Sequence, residues 1–338
     1  MDLLDTIIKS AVSLLSSIAV LTSTVTVYDT DKIEYGANFS PYYAQNELSL
    51  DWKKTYLAVL DDLKIKNLRL GAYWNKIETL DGVYDFSDLD FQILEAKKRD
   101  AKVVLAIGRK VPRWPECHDP LFIKGRSEND QREKLLSVIK ETVTRYKDNT
   151  AISAWQVENE PFFPFGDCPK ALADTNFLKR EIELVRTLNP TGKIVIQDSG
   201  EGGLWFLSKN LGDILAISMY KSSAFKIPFV NKSVYFNYPL PPSFYKFKAL
   251  VMGVNIEKMI VTELQAEPWG TKPILEMTRE EKDHTMSKEK FVQMIEYAKK
   301  TGLKDQYFWG VEWWAYEKEV LGNPYFWDTS KALMSDNL

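Results

Sequence analysis

Short apolar segments alternate with longer amphipathic segments along most of this chain, and this rhythm restricts the possible folds more than any other feature. The short segments are rich in β-branched and aromatic residues, as buried parallel strands are. The predicted strands are Tyr35–Phe39, Asn67–Gly71, Lys102–Gly108, Ile152–Glu158, Lys193–Gln197, Ile214–Met219, Met259–Glu263 and Gln306–Glu312. Helical patterns lie between them, at 51–64, 87–100, 129–147, 171–188, 244–252 and 288–300.

Eight strands that alternate with helices in one run favour a closed α/β barrel, the (β/α)8 or TIM barrel. A doubly wound open sheet is the alternative, but that fold usually has a glycine-rich first turn, and the sequence has none. No Ser-, Gly- or Pro-rich linker divides the chain after its first thirty residues. We therefore expect residues 31–338 to form a single domain with a hydrophobic segment in front of it.

Residues 1–30 form that hydrophobic segment. From Ser10 to Tyr28 there is no charge, and Leu, Val, Ile and Ala alternate with Ser and Thr. This length suits a signal peptide or a short membrane anchor, which would make the protein secreted or membrane-anchored. The helical spacing of Ile7, Ala11 and Ile18 is equally typical of an amphipathic helix, which fits a cytoplasmic protein.

The composition excludes several classes of function. A net charge of only -3 gives no electrostatic reason to expect nucleic acid or an anionic membrane surface as a partner, so a membrane would be reached only through the N-terminal segment. The chain has only 2 histidines, too few for a His-rich metal site, and neither lies near a nucleophile-elbow motif. No glycine-rich phosphate loop is present. We therefore expect no metal or organic cofactor and look for chemistry among the carboxylates.

The two cysteines, Cys117 and Cys168, fall in the loops after the third and fourth predicted strands. Neighbouring loops of a barrel could bring them close enough to form a disulfide, which would favour an oxidising compartment. Two unrelated thiols are the other interpretation, and both remain open at this stage.

Two predicted strands end in a carboxylate at the functional rim of the barrel. Glu160 follows the fourth strand within the segment Trp155–Pro161, and Glu263 ends the seventh strand. Hydrolysis of a glycosidic bond with retention needs two carboxyl groups about 5–5.5 Å apart. One such glutamate alone is most simply a solvated charge or a partner for arginine, but the pair is more specific. Pro161 disfavours helical backbone before it and predicts an extended Glu160.

These motifs resemble those of clan A glycoside hydrolases. Trp155–Pro161 resembles the strand-four motif of family 42 β-galactosidases and of family 5 cellulases and mannanases. Leu68–Trp74, with Ile77-Glu78 and Gly82–Phe86, resembles the strand-two region of family 42. The resemblance implies that Glu160 is the acid/base and Glu263 the nucleophile. One departure is Ser218, at a position where family 5 enzymes usually have histidine.

The resemblance also implies roles for residues that would hold the sugar. Asn159 would bind the 2-hydroxyl group, Arg69 would support the charge of the nucleophile, and Tyr220 would lie beside it. Trp313 or Trp314, after the eighth strand, would form a platform under the reactive sugar. Trp74, Arg109, Trp114 and Glu267 complete the predicted sugar-binding residues. For the loop that carries Arg109 and Trp114, a salt-bridged structural role is an equally good interpretation.

The sequence therefore predicts a retaining β-glycoside hydrolase that acts by double displacement on a β-linked oligo- or polysaccharide. A transglycosylase would use the same two carboxylates with a sugar acceptor in place of water. A non-catalytic carbohydrate-binding barrel is a further alternative, which would be expected to lack one of the carboxylates. A metal-dependent barrel enzyme would need Asp, Glu and His ligands at successive strand ends, and that pattern is not seen.

Overall fold

The computed structural model describes residues 33–168, 174–226 and 233–335, so the predicted N-terminal segment at 1–30 lies outside the described residues. Eight parallel strands form a closed barrel in which the first strand pairs with both the second and the last. The prediction of a (β/α)8 TIM barrel is confirmed. The strands are β1 Glu34–Phe39, β2 Asn67–Gly71, β3 Lys102–Ile107, β4 Ile152–Val157, β5 Lys193–Ser199, β6 Ile214–Met219, β7 Met259–Gln265 and β8 Asp305–Trp309.

Helices surround the barrel, and several begin where the sequence supplies a capping side chain. Asp51, Ser127 and Asp174 each accept a hydrogen bond from a backbone N–H in the first turn of the helix that follows. Within the described ranges, no helix is both long and apolar enough to cross a membrane. The helices are α1 Trp52–Asp61, α2 Trp74–Ile77, α3 Ser87–Lys98, α4 Glu128–Tyr146, α5 Thr175–Leu188, α6 Ser243–Met252, α7 Arg279–Asp283, α8 Lys288–Lys299, α9 Val311–Glu319 and α10 Tyr325–Ser335.

Three connections depart from the simple alternation of strand and helix. Between β5 and β6, residues 200–213 form turns instead of a helix. After β6, the strands Ser222–Lys226 and Ser233–Asn237 pair antiparallel before α6 begins. A smaller antiparallel pair, Glu78–Leu80 with Val83–Tyr84, follows α2.

The barrel interior changes from apolar to polar along the strands. One buried apolar cluster contains Ala154 of β4 and Val195 of β5. Because side chains alternate between the two faces of a strand, Gln156 and Gln197 lie on the same face, one step nearer the carboxyl ends. Both glutamines are fully buried. This polar layer supports the rim where barrel enzymes place their chemistry.

Candidate active site

A β-bulge in β7 directs Glu263 toward the site. Val261 pairs with Ile217 of β6, but the next pair joins Glu263 to Ser218, so β7 contains one extra residue, Thr262. Bulges of this kind redirect a side chain and are common beside active sites. Here the bulge brings Glu263 into register with Ser218, and β7 continues two residues beyond the predicted end.

Glu263 is surrounded by hydrogen-bond donors. The guanidinium of Arg69 donates to Oε1 at 2.8 Å, and Gln197 Nε2 donates to the same oxygen at 2.8 Å. The hydroxyl of Tyr220 donates to Oε2 at 3.1 Å. A buried cation and two neutral donors stabilise the ionised carboxylate, as an attacking group requires.

Arg69 is completely buried and holds several groups of the site in place. Its Nε donates to Gln156 at 2.7 Å, and Nη1 donates to Asn38 at 3.0 Å. Nη2 donates to the side-chain oxygens of Asn159 and Gln197. The rigid fork of the guanidinium thus joins side chains from β1, β4 and β5 to the carboxylate on β7.

Glu160 occupies a tight turn after β4. Its φ is +42°, and the φ of Glu158 is +62°, so both residues have left-handed backbone. The prediction of an extended Glu160 is therefore wrong. Pro161 disfavours right-handed helical backbone at the preceding residue, and Glu160 avoids that conformation by adopting a positive φ instead of an extended one. Lys110 Nζ donates to the carbonyl of Glu160 at 3.1 Å. Such a costly conformation at a rim carboxylate is typical of a functional residue.

The surroundings of Glu160 favour its protonated form. Burial and, secondarily, the charge of Glu263 raise the pKa of Glu160 to about 8, and a hydrogen bond from Ser218 opposes this rise. That bond joins Ser218 Oγ to Glu160 Oε1 at 2.6 Å. Ser218 also pairs in register with Glu263, so the same residue of β6 lies beside both glutamates, and the charge of Glu263 contributes to the raised pKa of Glu160. The two glutamates have the unequal environments that an acid and a nucleophile need.

Glu116 adds a third carboxyl group, from the loop that also carries Arg109 and Trp114. It accepts a hydrogen bond from Asn159 Nδ2 at 2.6 Å. Burial raises the pKa of Glu116 to about 7, and the charge of Glu263 adds to that rise. In the part of the chain that the structure describes, no group of three or more His, Cys, Asp or Glu is arranged to hold a metal ion. Glu116 lies in the loop after β3, and no motif marks it.

Cys117 and Cys168 form a disulfide that joins the loops after β3 and β4. The bridge is next to Glu116 in sequence and therefore ties the loop that carries this carboxyl group to the loop that follows Glu160. Of the two interpretations of these cysteines, the structure supports the disulfide.

Comparisons with known proteins agree with this architecture. No protein-family model matches the chain. It is 24% identical over 143 residues to β-galactosidase BgaA from Clostridium cellulovorans, a match covering 37% of this chain and 21% of that protein. The exo-β-1,4-mannosidase Op5Man5 from Opitutaceae bacterium strain TAV5 has a TM-score of 0.58 and 15% identity, covering 93% of this chain and 62% of that one. The β-galactosidase from Halorubrum lacusprofundi has a TM-score of 0.52 and 12% identity, covering 82% and 52%.

The chain has the barrel fold of these glycosidases. It spans about a fifth of the length of the curated relative that it matches, a share of 21%. The predicted resemblance to clan A glycoside hydrolases is thereby confirmed at the level of the fold.

The structure brings several of the predicted residues together. Arg69, Asn159 and Tyr220 contact Glu263 or each other in the network described above. Glu267 is buried and forms an ion pair with Arg113 of the loop after β3. Burial raises the pKa of Glu267, and Arg113 opposes that rise.

The prediction that Trp313 or Trp314 forms the sugar platform is wrong. Strand β8 ends at Trp309, and Gly310, with a φ of +136°, redirects the chain into α9. Both tryptophans lie on that helix and are fully buried; Trp313 packs on Phe326, with ring centroids 4.4 Å apart. The side chain at the end of the strand is Trp309, with the guanidinium of Arg113 at 4.2 Å from its ring.

Two other predicted sugar-binding residues have structural roles. Trp74 is almost completely buried and donates its indole N–H to Glu78 at 2.8 Å, so neither ring face is open to a sugar. Arg109 forms an ion pair with Asp119 and also donates to Gln131 at 3.0 Å. For Arg109, therefore, the salt-bridged loop is the correct interpretation.

Proposed function

We propose that this protein is a retaining β-glycoside hydrolase acting on β-linked oligo- or polysaccharides. The observation that carries the proposal is the contrast between two buried glutamates. Glu263 accepts hydrogen bonds from a buried cation and two neutral donors, whereas the pKa of Glu160 is raised to about 8 by burial and by Glu263. Glu263 is thus surrounded by donors suited to an attacking carboxylate, whereas Glu160 is held in its protonated form, and double displacement requires this contrast.

In the first step, a carboxylate oxygen of Glu263 attacks the anomeric carbon of the bound sugar. The bond from that carbon to the leaving oxygen breaks, and the proton of Glu160 moves to this oxygen. The products are a glycosyl ester on Glu263 and the released alcohol. As the negative charge on Glu263 is consumed, Arg69 keeps its hydrogen bonds to Asn38 at 3.0 Å and to Asn159 at 2.5 Å.

In the second step, Glu160, now ionised, accepts a proton from a water molecule. The water oxygen attacks the anomeric carbon, the ester bond to Glu263 breaks, and the sugar leaves with its original configuration. Both carboxyl groups then return to their starting protonation states. Loss of the ester restores the charge on Glu263, which the Arg69 guanidinium at 2.8 Å stabilises.

We further propose that the protein works in an oxidising compartment, outside the cytoplasm. The disulfide between Cys117 and Cys168 supports this location, because disulfides persist mainly in secreted and periplasmic proteins. The uncharged stretch from Ser10 to Tyr28 suits export or anchoring.

The decisive test is a Glu263→Ala variant, assayed on a panel of aryl β-glycosides. We expect the wild type to hydrolyse at least one member, with the β-anomer as first product in NMR spectra. The variant should lose activity by a factor of at least ~10⁴, because the attacking group is absent. Added azide should partly restore turnover, since a small anion can occupy the space of the missing carboxylate.

A matched control is Glu257→Ala, which removes a glutamate whose side chain is 66% exposed. This variant should keep full activity. Retained activity in the Glu263 variant, or an α-anomer as first product of the wild type, would reject the proposed mechanism.

A further inference from the structure

Trp114 is an exposed aromatic side chain on an otherwise buried turn. Its exposure is 61%, whereas its neighbour Arg113 is 5% exposed and faces inward to Glu267 and Glu312. Exposing an indole ring of this size to water is unfavourable unless something covers it. The buried ion pairs of Arg113 thus fix the turn, while the indole ring of Trp114 lies on the protein surface.

A continuous line of aromatic rings leads from Trp114 to the reacting carboxylate. Trp114 contacts Phe165 with ring centroids 5.8 Å apart, and Phe165 contacts Trp269 at 5.5 Å. Trp269 contacts Tyr220 at 5.4 Å, and the Tyr220 hydroxyl donates to Glu263 at 3.1 Å. The rings belong to the loops that follow β3, β4, β7 and β6, so four separate segments of chain build one aromatic path.

The outer end of this path is held firmly. Val111 N–H donates to the carbonyl of Glu116 at 2.9 Å, which closes the turn that carries Trp114. Asp167 N–H donates to the carbonyl of Pro115 at 2.9 Å, which joins this turn to the loop that carries Phe165. The disulfide between Cys117 and Cys168 links the same two loops covalently. A ring fixed in this way binds a ligand without a large cost in conformational entropy.

We infer that Trp114 and Phe165 form an outer sugar-binding subsite, which holds a residue of the substrate beyond the sugar attacked by Glu263. The apolar C–H face of a sugar ring packs on a flat aromatic ring, and such contacts need no charge. The path of rings joins this subsite to the reaction centre through Trp269 and Tyr220. This inference rests on the proposed function and specifies its substrate as a chain of several β-linked sugars.

The test compares substrates of different length in a Trp114→Ala variant. The short substrate is the aryl β-glycoside of a single sugar that the wild type hydrolyses; the long ones are β-linked oligosaccharides of that sugar, from disaccharide to pentasaccharide. We expect kcat/KM for the short substrate to stay within about twofold of wild type. For the longest substrate it should fall about tenfold, mainly through KM, because one stacking contact is lost. Trp114→Phe, which keeps a flat ring, should retain most of the wild-type value.

Phe206→Ala serves as the matched control, because Phe206 is also an exposed ring, at 69%, and lies in the loop between β5 and β6. This variant should leave kcat/KM unchanged for every substrate. An equal kcat/KM of wild type and Trp114→Ala at every length would overturn the outer subsite. So would an equal loss on short and long substrates, or the same loss in the control. If the wild type hydrolysed no β-glycoside of any length, the proposed function itself would fail instead.

Discussion

At the scale of single residues, two glutamates of the site, Glu263 and Glu160, have different electrostatic environments. The guanidinium of Arg69 lies 2.8 Å from the carboxylate of Glu263. The ammonium group of Lys110 donates instead to the backbone carbonyl of Glu160, at 3.1 Å. Glu160 is therefore buried without a direct ion pair and faces the charges of Glu263 and Glu116, both of which raise its pKa. Desolvation and like charge act in the same direction here.

Ser218 offers a direct test of this balance. Its hydroxyl donates to Glu160 Oε1 at 2.6 Å. This bond lowers the pKa of Glu160, which burial and neighbouring charges nevertheless raise to about 8. In Ser218→Ala the pKa of Glu160 should rise further, so the acid keeps its proton to higher pH. The alkaline limb of kcat/KM should move upward by as much as about one pH unit. A pH profile on an aryl β-glycoside measures this.

Ser137→Ala is the control for that profile, because Ser137 bonds only to a backbone carbonyl of its own exposed helix. Its alkaline limb should coincide with that of the wild type. A limb that stays in place or moves to lower pH in Ser218→Ala would show that Ser218 does not hold the carboxylate form of Glu160.

The sequence predicted site residues that lie on a strand or directly after one, and it missed contacts that depend on how a loop folds or on where a strand ends. Glu263 could be predicted because it ends a strand with a clear pattern, and Arg69 because its strand resembles the strand-two region of family 42. The hydrogen bond between Glu116 and Asn159 could not be predicted, since it exists only after the loop beyond β3 has folded back. Trp309 was missed because the eighth strand was extended by three residues past its real end.

At the scale of elements, the position of each strand could be predicted from its own segment, but features of strand pairing could not. All eight strands were located from their composition, because buried parallel strands are short and apolar. The bulge in β7 was not predicted, since a bulge is a property of register and register involves two strands. The end of β8 was misplaced because the sequence Gly310–Trp314 is as aromatic as a strand, although Gly310 turns it into a helix.

At the junction of β4 and α5, Glu158 and Glu181 form a buried carboxyl pair that should make the stability of the fold depend on pH. Glu158 accepts backbone hydrogen bonds from Arg109 at 2.6 Å and Lys110 at 2.7 Å and bonds to Glu181 of α5. Burial and the charge of Glu158 raise the pKa of Glu181, which Arg132 opposes only weakly. Glu181 thus remains protonated and donates to Glu158. The pair fixes the turn that leads to Glu160 from the helix side.

Glu181→Gln tests this pair, because an amide donates the same hydrogen bond and cannot ionise. A raised folded-state pKa stabilises the fold fully at pH values below the ordinary carboxyl range, and this contribution is lost as pH rises toward the folded pKa. Wild type and variant should therefore unfold alike near pH 4. The variant should become more stable by about 1–3 kcal/mol at alkaline pH. Denaturant unfolding across that range measures the difference, and Glu183→Gln, on the exposed face of the same helix, should show none.

At the scale of the whole molecule, the barrel and the loops at its carboxyl rim are stabilised by different interactions. The closed sheet joins β1 to β8, so every strand has two partners and no edge is left open. The loops at the carboxyl rim lack such partners, yet they carry Glu116, Trp114 and the turn at Glu160. Their order depends on a few specific bonds, of which the Cys117–Cys168 disulfide is the covalent one.

Removing that disulfide should therefore affect both stability and the rim. It links residues separated by 51 positions, and loop-closure entropy gives such a bridge a stabilisation of about 4 kcal/mol. The double variant Cys117→Ser with Cys168→Ser should lose about 2–4 kcal/mol in guanidinium unfolding. A reducing agent should lower the stability of the wild type to a similar level and leave the variant unchanged. Since the barrel strands pair independently of the bridge, the variant should keep its secondary structure by circular dichroism. Equal unfolding midpoints for oxidised wild type and variant would mean that the backbone bonds between the two loops hold them without covalent help.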